Sequence, residues 1–382
     1  MGKESINVKK IIIIAGALCA YWIGSGFATG QEVLQFLATS GAIKGIIGAI
    51  IYAILLGFFV YTLYGVGQKM QFEDPYDIFE YYCGKYIGKI YMWFSVILMY
   101  GIYVTMLAGS GATIHQYFGA PTNIGTYIVA LLALGTAILG VEKLLDIIGV
   151  IGPIKIVFLT IMGISALVTL VGKPNLLSVN SVLIATAGFK IASNNWLWSA
   201  ILWASLGLMF GITFFVISGS SCKSLKEARL SSIIGVSAIS IEVVLLVITE
   251  IVYLDVIKGQ QVPTLAIAKY ISPILGMIFS LILILCIYSA VSSMIMVVTR
   301  KFAVDKTKRF NIVATILTLA GMFAGTLLPF DQLVNILYPV SGYIGILLVG
   351  LMIYKEFINK NAFPYSKNDK KIIENSGENI TR

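Results

Sequence analysis

Charged residues are scarce in this 382-residue chain: 12% of its positions are Asp, Glu, Lys or Arg, and 58% are hydrophobic. A soluble globular domain carries about 25% charged residues, and the mean hydropathy here is +0.92. The composition therefore excludes an ordinary soluble protein. It predicts an integral membrane protein whose immediate partner is the lipid bilayer.

Histidine and cysteine are also rare. The chain has one histidine and four cysteines, and no two cysteines have C-x-x-C spacing. This argues against a metal centre of the usual His/Cys type and predicts buried free thiols. Neither a nucleotide-binding motif nor a catalytic Ser/His/Asp set is present. We therefore expect no enzyme, no catalytic residue and no cofactor other than a coupling ion.

Long apolar runs are what the sequence has in abundance. About 20 apolar residues are needed for a helix to cross the hydrocarbon core, whereas a β-barrel would show alternating segments of about ten residues. The runs are continuous, so an all-α protein with ten transmembrane helices is predicted. The predicted spans are 11–37, 42–68, 88–118, 123–140, 144–171, 197–219, 229–256, 271–299, 310–328 and 332–354.

The net charge of +9 is unevenly distributed between the connections. If the N-terminus is cytoplasmic, 21 of the 27 Lys and Arg residues lie on the cytoplasmic side and five outside. Cytoplasmic loops carry such an excess. We therefore expect a multi-pass protein of the cell membrane with both termini in the cytoplasm, and we exclude nucleic acid as a partner. Lys155 belongs to neither side, because it lies inside the fifth run.

The polar segments are short, which predicts one transmembrane domain over 1–358. Residues 359–382 form a polar tail that is predicted to be disordered. The stretch 69–87 resembles an amphipathic cytoplasmic connection. Residues 176–193 and 261–270 are mixed in character, and we expect short helices there over the outer face.

The first and sixth runs share a pattern. Residues 22–30 read WIGSGFATG and residues 203–211 read WASLGLMFG: each has a Trp, a small-residue cluster and a Gly eight positions after the Trp. Glycine weakens a helix, and unwound backbone in a membrane must line a cavity or be buried. Repeats of opposite orientation that each begin with an interrupted helix are typical of secondary transporters. The predicted repeats are about 11–171 and 197–354. The alternative is that these glycines only allow close helix contact.

Three short stretches carry a family resemblance: GSGFATGQE (24–32), SLGLMFGITFF (205–215) and YSAVSSMIM (288–296). They resemble the amino acid–polyamine–organocation superfamily, whose fold is the LeuT fold, and within it the YkvI-type membrane proteins. The resemblance implies a 5+5 inverted repeat with discontinuous first and sixth helices. It also implies a small-molecule substrate, bound midway by Gly24, Ser25, Gly26, Tyr103, Ala204, Ser205 and Gly207, with Tyr100 beside Tyr103.

The resemblance also suggests how an ion could be coupled. Phe27 stands where sodium-coupled members with two ion sites have asparagine, which argues against the first sodium site. A second site would use the hydroxyls of Ser292 and Ser293 with the carbonyl of Ser289 and that of Tyr21 or Gly24. Proton-coupled relatives instead place a fifth-helix lysine there, and Lys155 is similar.

Each of these positions has a plainer interpretation. The serines could bond back to the preceding helical turn. Lys155 could pair with an acid or reach the interface, although a buried lysine can exchange its proton near neutral pH because desolvation disfavours its charge. An intramembrane acid suggests a functional site, so Glu32 and Glu242 are candidate gates or proton carriers. Spacing names no partner for Glu242 or Glu250.

The sequence therefore predicts an ion-coupled secondary transporter of a small zwitterion, preferably an amino acid. Coupling to H⁺ through Lys155 is favoured over Na⁺ at Ser292 and Ser293. A LeuT-fold transporter of a nucleobase, lipid-like or other small solute, or a membrane sensor that transports nothing, remains the alternative. The sequence does not specify the oligomeric state.

Overall fold

The computed structural model of the chain describes residues 7–22, 25–139, 143–359 and 362–363, which form helices joined by short connections. The helices are α1 (Val8–Trp22), α2 (Ser25–Ala28), α3 (Gln31–Phe36), α4 (Ala42–Met70), α5 (Asp77–Phe118), α6 (Thr122–Leu139), α7 (Lys143–Gly172), α8 (Leu176–Thr186), α9 (Trp196–Ser220), α10 (Leu225–Val252), α11 (Leu254–Ile257), α12 (Pro263–Ile271), α13 (Pro273–Arg300), α14 (Lys308–Leu327) and α15 (Phe330–Ile353). A 3₁₀ turn (Ala38–Ser40) follows α3, and a π-helical turn (Tyr354–Ile358) extends α15.

Within the described ranges, nine helices are long and apolar enough to cross a membrane: α4, α5, α6, the described part of α7, α9, α10, α13, α14 and α15 extended by its π turn. They match the second to tenth predicted spans with shifts of a few residues at most ends, which confirms a multi-pass, helical membrane protein. The first predicted span, 11–37, is divided into α1, α2 and α3. The predicted tail 359–382 lies almost wholly outside the described residues.

Several helix starts follow from local sequence. Asn195 caps α9, where its side-chain oxygen accepts hydrogen bonds from the backbone N–H groups of Leu197 and Trp198 at 2.9 and 3.2 Å. Ser224 and Thr307 cap α10 and α14 in the same way. Such side chains satisfy donors that have no partner within the helix. The short helices expected in 176–193 and 261–270 are present as α8 and α12.

The third span is longer than predicted. The prediction began it at residue 88, but α5 starts at Asp77 and bends at Gly84, whose φ of 73° and ψ of 172° are not helical. Before the bend, Ile78, Phe79 and Tyr82 are buried. The connection predicted to be amphipathic is therefore partly a helical turn packed against the bundle.

The sixth span corrects the prediction of a second discontinuous helix. Helix α9 runs from Trp196 to Ser220, through Ser205 and Gly207, as one helix. One Gly costs a helix only about 1 kcal/mol, which the buried apolar neighbours Leu206 and Leu208 offset. A Cβ at Gly207 would overlap the ring of Trp22. The glycine therefore serves close packing, which was the alternative interpretation.

Side-chain amides join the elements at the end of the bundle that carries α3 and α12. The Nδ2 of Asn335 donates to the Oε1 of Gln35 at 3.1 Å, and the Nε2 of Gln35 donates to the carbonyl of Asp331 at 2.9 Å. Gln116 exchanges two hydrogen bonds with the backbone of Val262, at 2.8 and 3.0 Å. Gln261 accepts one from the backbone N–H of Phe330. We call Gln35, Gln116, Gln261 and Asn335 the amide network.

Candidate functional site

A cavity of about 400 Å³ lies beside the division of the first span. Helices α1, α2, α3, α5, α7, α9, α13 and α15 all contribute to its wall. Its lining is Ala17, Ala20, Tyr21, Trp22, Gly26, Phe27, Glu32, Met99, Ile102, Met106, Lys155, Trp203, Leu206, Gly207, Phe210, Cys286, Ser289, Ala290, Ser293, Met294, Val297 and Tyr338. Ligand pockets in proteins begin at about 300 Å³ and are mostly apolar with a few polar groups. This cavity fits that description.

The end of α1 is fixed to neighbouring helices by two aromatic side chains. The hydroxyl of Tyr21 donates to the carbonyl of Phe210 at 2.9 Å, and its ring stacks on Phe214 with 3.9 Å between centroids. The indole N–H of Trp22 donates to the hydroxyl of Tyr52 at 2.5 Å. These contacts hold α1 against α9 and α4, and they place the last residues of α1 in the cavity wall.

Beyond α1, glycines shape the path of the chain. Gly24, predicted to bind substrate, lies outside the described residues, and Ser25 is the first residue of α2. Gly26 lines the cavity, and a Cβ there would overlap the Oε1 of Glu32. Gly30, with φ of 82°, turns the chain into α3. The predicted interruption of the first helix is thus present after Gly24, where α2 ends at Ala28 and α3 begins at Gln31.

Glu32 is the acidic side chain of the cavity wall. Its Oε2 accepts a hydrogen bond from the indole N–H of Trp203 at 3.1 Å. Phe27 stacks on Trp203 with 6.2 Å between centroids. The carboxyl of Glu32 therefore faces the cavity between α2 and α9, among aromatic rings.

Lys155 is the basic side chain of the same wall, with 5% of its surface exposed. It lies close enough to Cys286 on α13 to interact with that thiol electrostatically. Ser289 and Ser293 lie on the same face of α13 and also line the cavity. The structure thus brings together three of the four residues predicted for ion coupling.

Ser292 is the fourth, and it is buried away from the cavity lining. Its hydroxyl donates to the carbonyl of Tyr288 at 2.7 Å, and that of Ser293 donates to Ser289 at 3.1 Å. Both serines make the bond to the preceding turn that was the plainer interpretation. Their oxygens retain acceptor capacity, but Ser292 and Ser293 do not face the cavity together.

Several predicted substrate contacts lie elsewhere. On α9, Gly207 lines the cavity, whereas Ala204 and Ser205 are buried outside its lining. The carbonyl of Ser205 lies against Gly345 of α15. In a continuous helix these neighbouring residues point in different directions, so the structure does not bring Ala204 and Ser205 into the wall of this cavity with Gly207.

The tyrosines of α5 are also displaced from the cavity. Tyr103 is fully buried and packs against Gly321 of α14. Tyr100 stacks beside it at 5.7 Å, and its hydroxyl donates to the carbonyl of Leu317 at 2.8 Å. The wall of the cavity on α5 is formed instead by Met99, Ile102 and Met106.

The two acidic residues of α10 have separate surroundings. The Oε1 of Glu242 accepts a hydrogen bond from Thr160 of α7 at 2.6 Å, which supplies the partner that spacing could not name. Glu250 is fully buried, and neither of its carboxyl oxygens has a hydrogen-bond partner among the described residues. It lies against Gly30. Neither acid lines the cavity.

Sequence reasoning missed several wall residues. Trp203 and Trp22 were noted as pattern markers, yet both line the cavity, as do Cys286, Met294 and Tyr338. Helical register relative to Gly207 and Ser289 would have indicated Trp203 and Cys286, which lie four and three residues before them. Among the described residues, no group of three His, Cys, Asp or Glu side chains could hold a metal ion. The four cysteines are free and buried, as predicted.

No family model matches the chain. It is similar to two proteins of Bacillus subtilis strain 168: an uncharacterized protein, YyaD, is 26% identical over 353 residues, which are 91% of this chain and 96% of YyaD. The membrane protein YkvI, also uncharacterized, is 20% identical over 344 residues, 87% of this chain and 92% of YkvI. The likeness to YkvI agrees with the resemblance found in the motifs.

Two solved structures have similar architecture. MhsT in complex with L-phenylalanine superposes with a TM-score of 0.61 at 17% identity, over 92% of this chain and 90% of MhsT. A substituted form of the manganese transporter of Eremococcus coleocola gives a TM-score of 0.53 at 14% identity, over 92% of this chain and 80% of the transporter. The chain is therefore a membrane protein with the LeuT fold. This likeness agrees with the expectation that it is not an enzyme.

Proposed function

We propose that the chain is an ion-coupled secondary transporter of a small zwitterionic solute, preferably an amino acid, and that it works by alternating access. The observation that carries the proposal is the cavity itself. It lies where the first span is divided, and it places one carboxyl, Glu32, and one ammonium, Lys155, in an otherwise mostly apolar wall. A zwitterion with an apolar side chain matches such a wall in charge and in polarity.

The fold supports this choice of mechanism. Ten crossings in a 5+5 inverted repeat would comprise the divided first span and the nine long helices. The first, second, sixth and seventh spans would rock against the third, fourth, eighth and ninth. MhsT, which shares the fold, was solved with L-phenylalanine. That ligand is a natural first probe for this chain.

The position of the cavity supports an inward-facing state. On α13 the lining extends to Val297, one turn from the end of the helix at Arg300, and on α1 it extends back to Ala17. With both termini in the cytoplasm, this is the cytoplasmic half of the bundle. The amide network closes the opposite, outer end.

Coupling to protons through Lys155 is preferred to coupling to sodium. Lys155 lies beside Cys286, which is one turn before Ser289 and two turns before Ser293 on α13, and this proximity supports a role for its ammonium in place of a sodium ion. Ser292, which the sodium site would also need, faces away from the cavity.

The test is uptake of labelled L-phenylalanine into proteoliposomes under an imposed pH gradient or an imposed sodium gradient. We expect uptake driven by the pH gradient and its loss in Lys155→Ala. Lys173→Ala, a change at an exposed lysine just beyond α7, is the matched control and retains uptake. Sodium-driven uptake would refute the proton mechanism but leave the transporter in place.

The alternatives have a separate readout on the purified protein. Thermal stabilisation of the purified protein is measured with the twenty amino acids, with nucleobases and with Mn²⁺. A nucleobase that stabilises the protein while no amino acid does would refute the substrate class. Binding of an amino acid without uptake under either gradient would instead indicate a sensor.

A further inference from the structure

Glu32 is a carboxyl group in the cavity wall that has no cationic side chain beside it. In the ranges whose side chains are described, the ion pairs within 4.0 Å are Arg300 with Asp305 and Lys301 with Asp74, both at the end of the bundle where α13 ends. Within the described part of the chain, the one hydrogen bond that Glu32 accepts comes from the indole N–H of Trp203, at 3.1 Å. A carboxylate has room for about four such bonds.

Gly26 has no side chain and so leaves room for the carboxyl of Glu32 beside the cavity. Glu32 lies one turn beyond α2, and its Oε1 reaches the α-carbon of Gly26, where any side chain would overlap it. Both residues line the cavity. The carboxyl of Glu32 therefore lies beside Gly26 at the divided first span, in the wall of the cavity that a ligand would fill.

The surroundings of Glu32 make an opposite charge favourable. Phe27, Trp203 and Tyr338 form the nearby wall, and Met106 lies across from it on α5. A partly buried carboxylate among apolar groups with one hydrogen bond is costly, and a paired cation offsets that cost. A primary ammonium brings both the charge and three N–H donors.

We propose that Glu32 is the ligand for the substrate's ammonium group and so selects substrates that carry a primary amine. This inference rests on the proposed function and specifies how the same cavity recognises its substrate. The apolar part of the substrate lies against Met99, Ile102 and Met106. The amine is then the required group, and the substrate's carboxylate contributes less.

The experiment compares three probes that share one apolar body: L-phenylalanine, 2-phenylethylamine, which lacks the carboxylate, and 3-phenylpropanoate, which lacks the amine. Dissociation constants are measured by calorimetry on the purified full-length protein. We expect 3-phenylpropanoate to bind roughly ten- to hundred-fold more weakly than the two amines, since a charge-assisted hydrogen bond is lost. In Glu32→Gln this preference for the amines falls to within about threefold.

Trp203→Phe serves as the matched variant, because it removes the hydrogen bond to Glu32 and keeps the carboxyl. If Glu32 served only to hold α9 in place, Glu32→Gln and Trp203→Phe would change the preference for amines in the same way. We expect Trp203→Phe to retain the preference for amines, whatever its absolute affinity. Melting temperatures of both variants establish that each is folded.

The outcomes separate the two proposals. Equal binding of L-phenylalanine and 3-phenylpropanoate by the unchanged protein would overturn the role of Glu32 and leave amino acid transport standing. So would an amine preference that survives in Glu32→Gln or disappears in Trp203→Phe. Failure of all three probes to bind would overturn the proposed substrate class and this inference with it.

Discussion

Gly30 offers a sharp test of how the divided first span is held. Its φ of 82° is left-handed, and a Cβ added there would lie 2.5 Å from the Oε1 of Glu250 and 2.9 Å from the Cγ2 of Thr264. An L-residue in this conformation costs about 1–2 kcal/mol, and overpacking a buried site costs about 1–3 kcal/mol more. The reduced entropy of the unfolded chain returns about 0.4–1 kcal/mol. Gly30→Ala is therefore expected to destabilise the protein by about 1–5 kcal/mol.

Two other glycines separate these contributions. Gly119 has φ of 72° with nothing within 4 Å of an added Cβ, so Gly119→Ala measures the cost of the conformation alone. Gly135 lies inside α6, also with nothing within 4 Å. Gly135→Ala should be neutral or stabilising by up to about 1 kcal/mol, because alanine favours a helix.

The assay is thermal unfolding of the three variants in one detergent, with the unchanged protein alongside. We expect melting temperatures to fall in the order Gly135→Ala, Gly119→Ala, Gly30→Ala. If Gly30→Ala melts no lower than Gly119→Ala, the contacts with α10 and α12 do not constrain this turn. The reasoning about the divided span would then be refuted.

Three further changes test single contacts by the same thermal assay. Tyr21→Phe removes the 2.9 Å hydrogen bond to the carbonyl of Phe210 and should lower the free energy of unfolding by about 1 kcal/mol. An unchanged melting temperature would show that this hydrogen bond does not contribute to stability. Glu250→Met removes a buried carboxyl that has no hydrogen-bond partner in the described part of the chain, so stability should rise by about 1–3 kcal/mol; a fall contradicts this. Asp305→Asn should change stability by less than about 1 kcal/mol, because the pair with Arg300 is exposed. Hydrogen bonds from Arg300 hold the pKa of Asp305 below its usual range, so the small contribution is present at neutral pH and lost only as acid protonates Asp305; loss above pH 5 would contradict this.

Composition predicted the membrane class and most of the helices, because crossing hydrocarbon demands long apolar runs whatever the tertiary contacts. The interruption of the first span was also predictable, since three glycines and a glutamate are poor neighbours within one membrane helix. The start of α5 at Asp77 was not predictable in this way. Its first turn is amphipathic, and its helical state depends on the burial of Phe79 and Tyr82 against the rest of the bundle.

Which residues line the cavity was harder to predict from the sequence than the positions of the helices. The prediction grouped Ala204, Ser205 and Gly207 by assuming an unwound segment, but a continuous helix presents residues three and four apart. The wall contains Trp203, Leu206, Gly207 and Phe210 from α9, which is that spacing.

The same spacing governs the eighth span. Cys286, Ser289, Ala290 and Ser293 of α13 face the cavity, and Ser292 does not. Sequence alone identifies the residue types but not the register in which each helix turns toward the cavity. That register is set by packing with other helices, such as the contact between Gly207 and Trp22.

The amide network has a consequence for how transport would be driven. Its members are neutral at every physiological pH, and their hydrogen bonds join side-chain amides to one another or to the backbone. Such bonds are worth about 0.5–1.5 kcal/mol each and are little affected by salt, unlike exposed ion pairs. The stability of the amide network is therefore little affected by pH or by ionic strength. In the proposed transporter, sensitivity to an ion gradient would therefore enter through ionisable side chains of the membrane interior, and the residues that respond to the ion would be separate from the amide network.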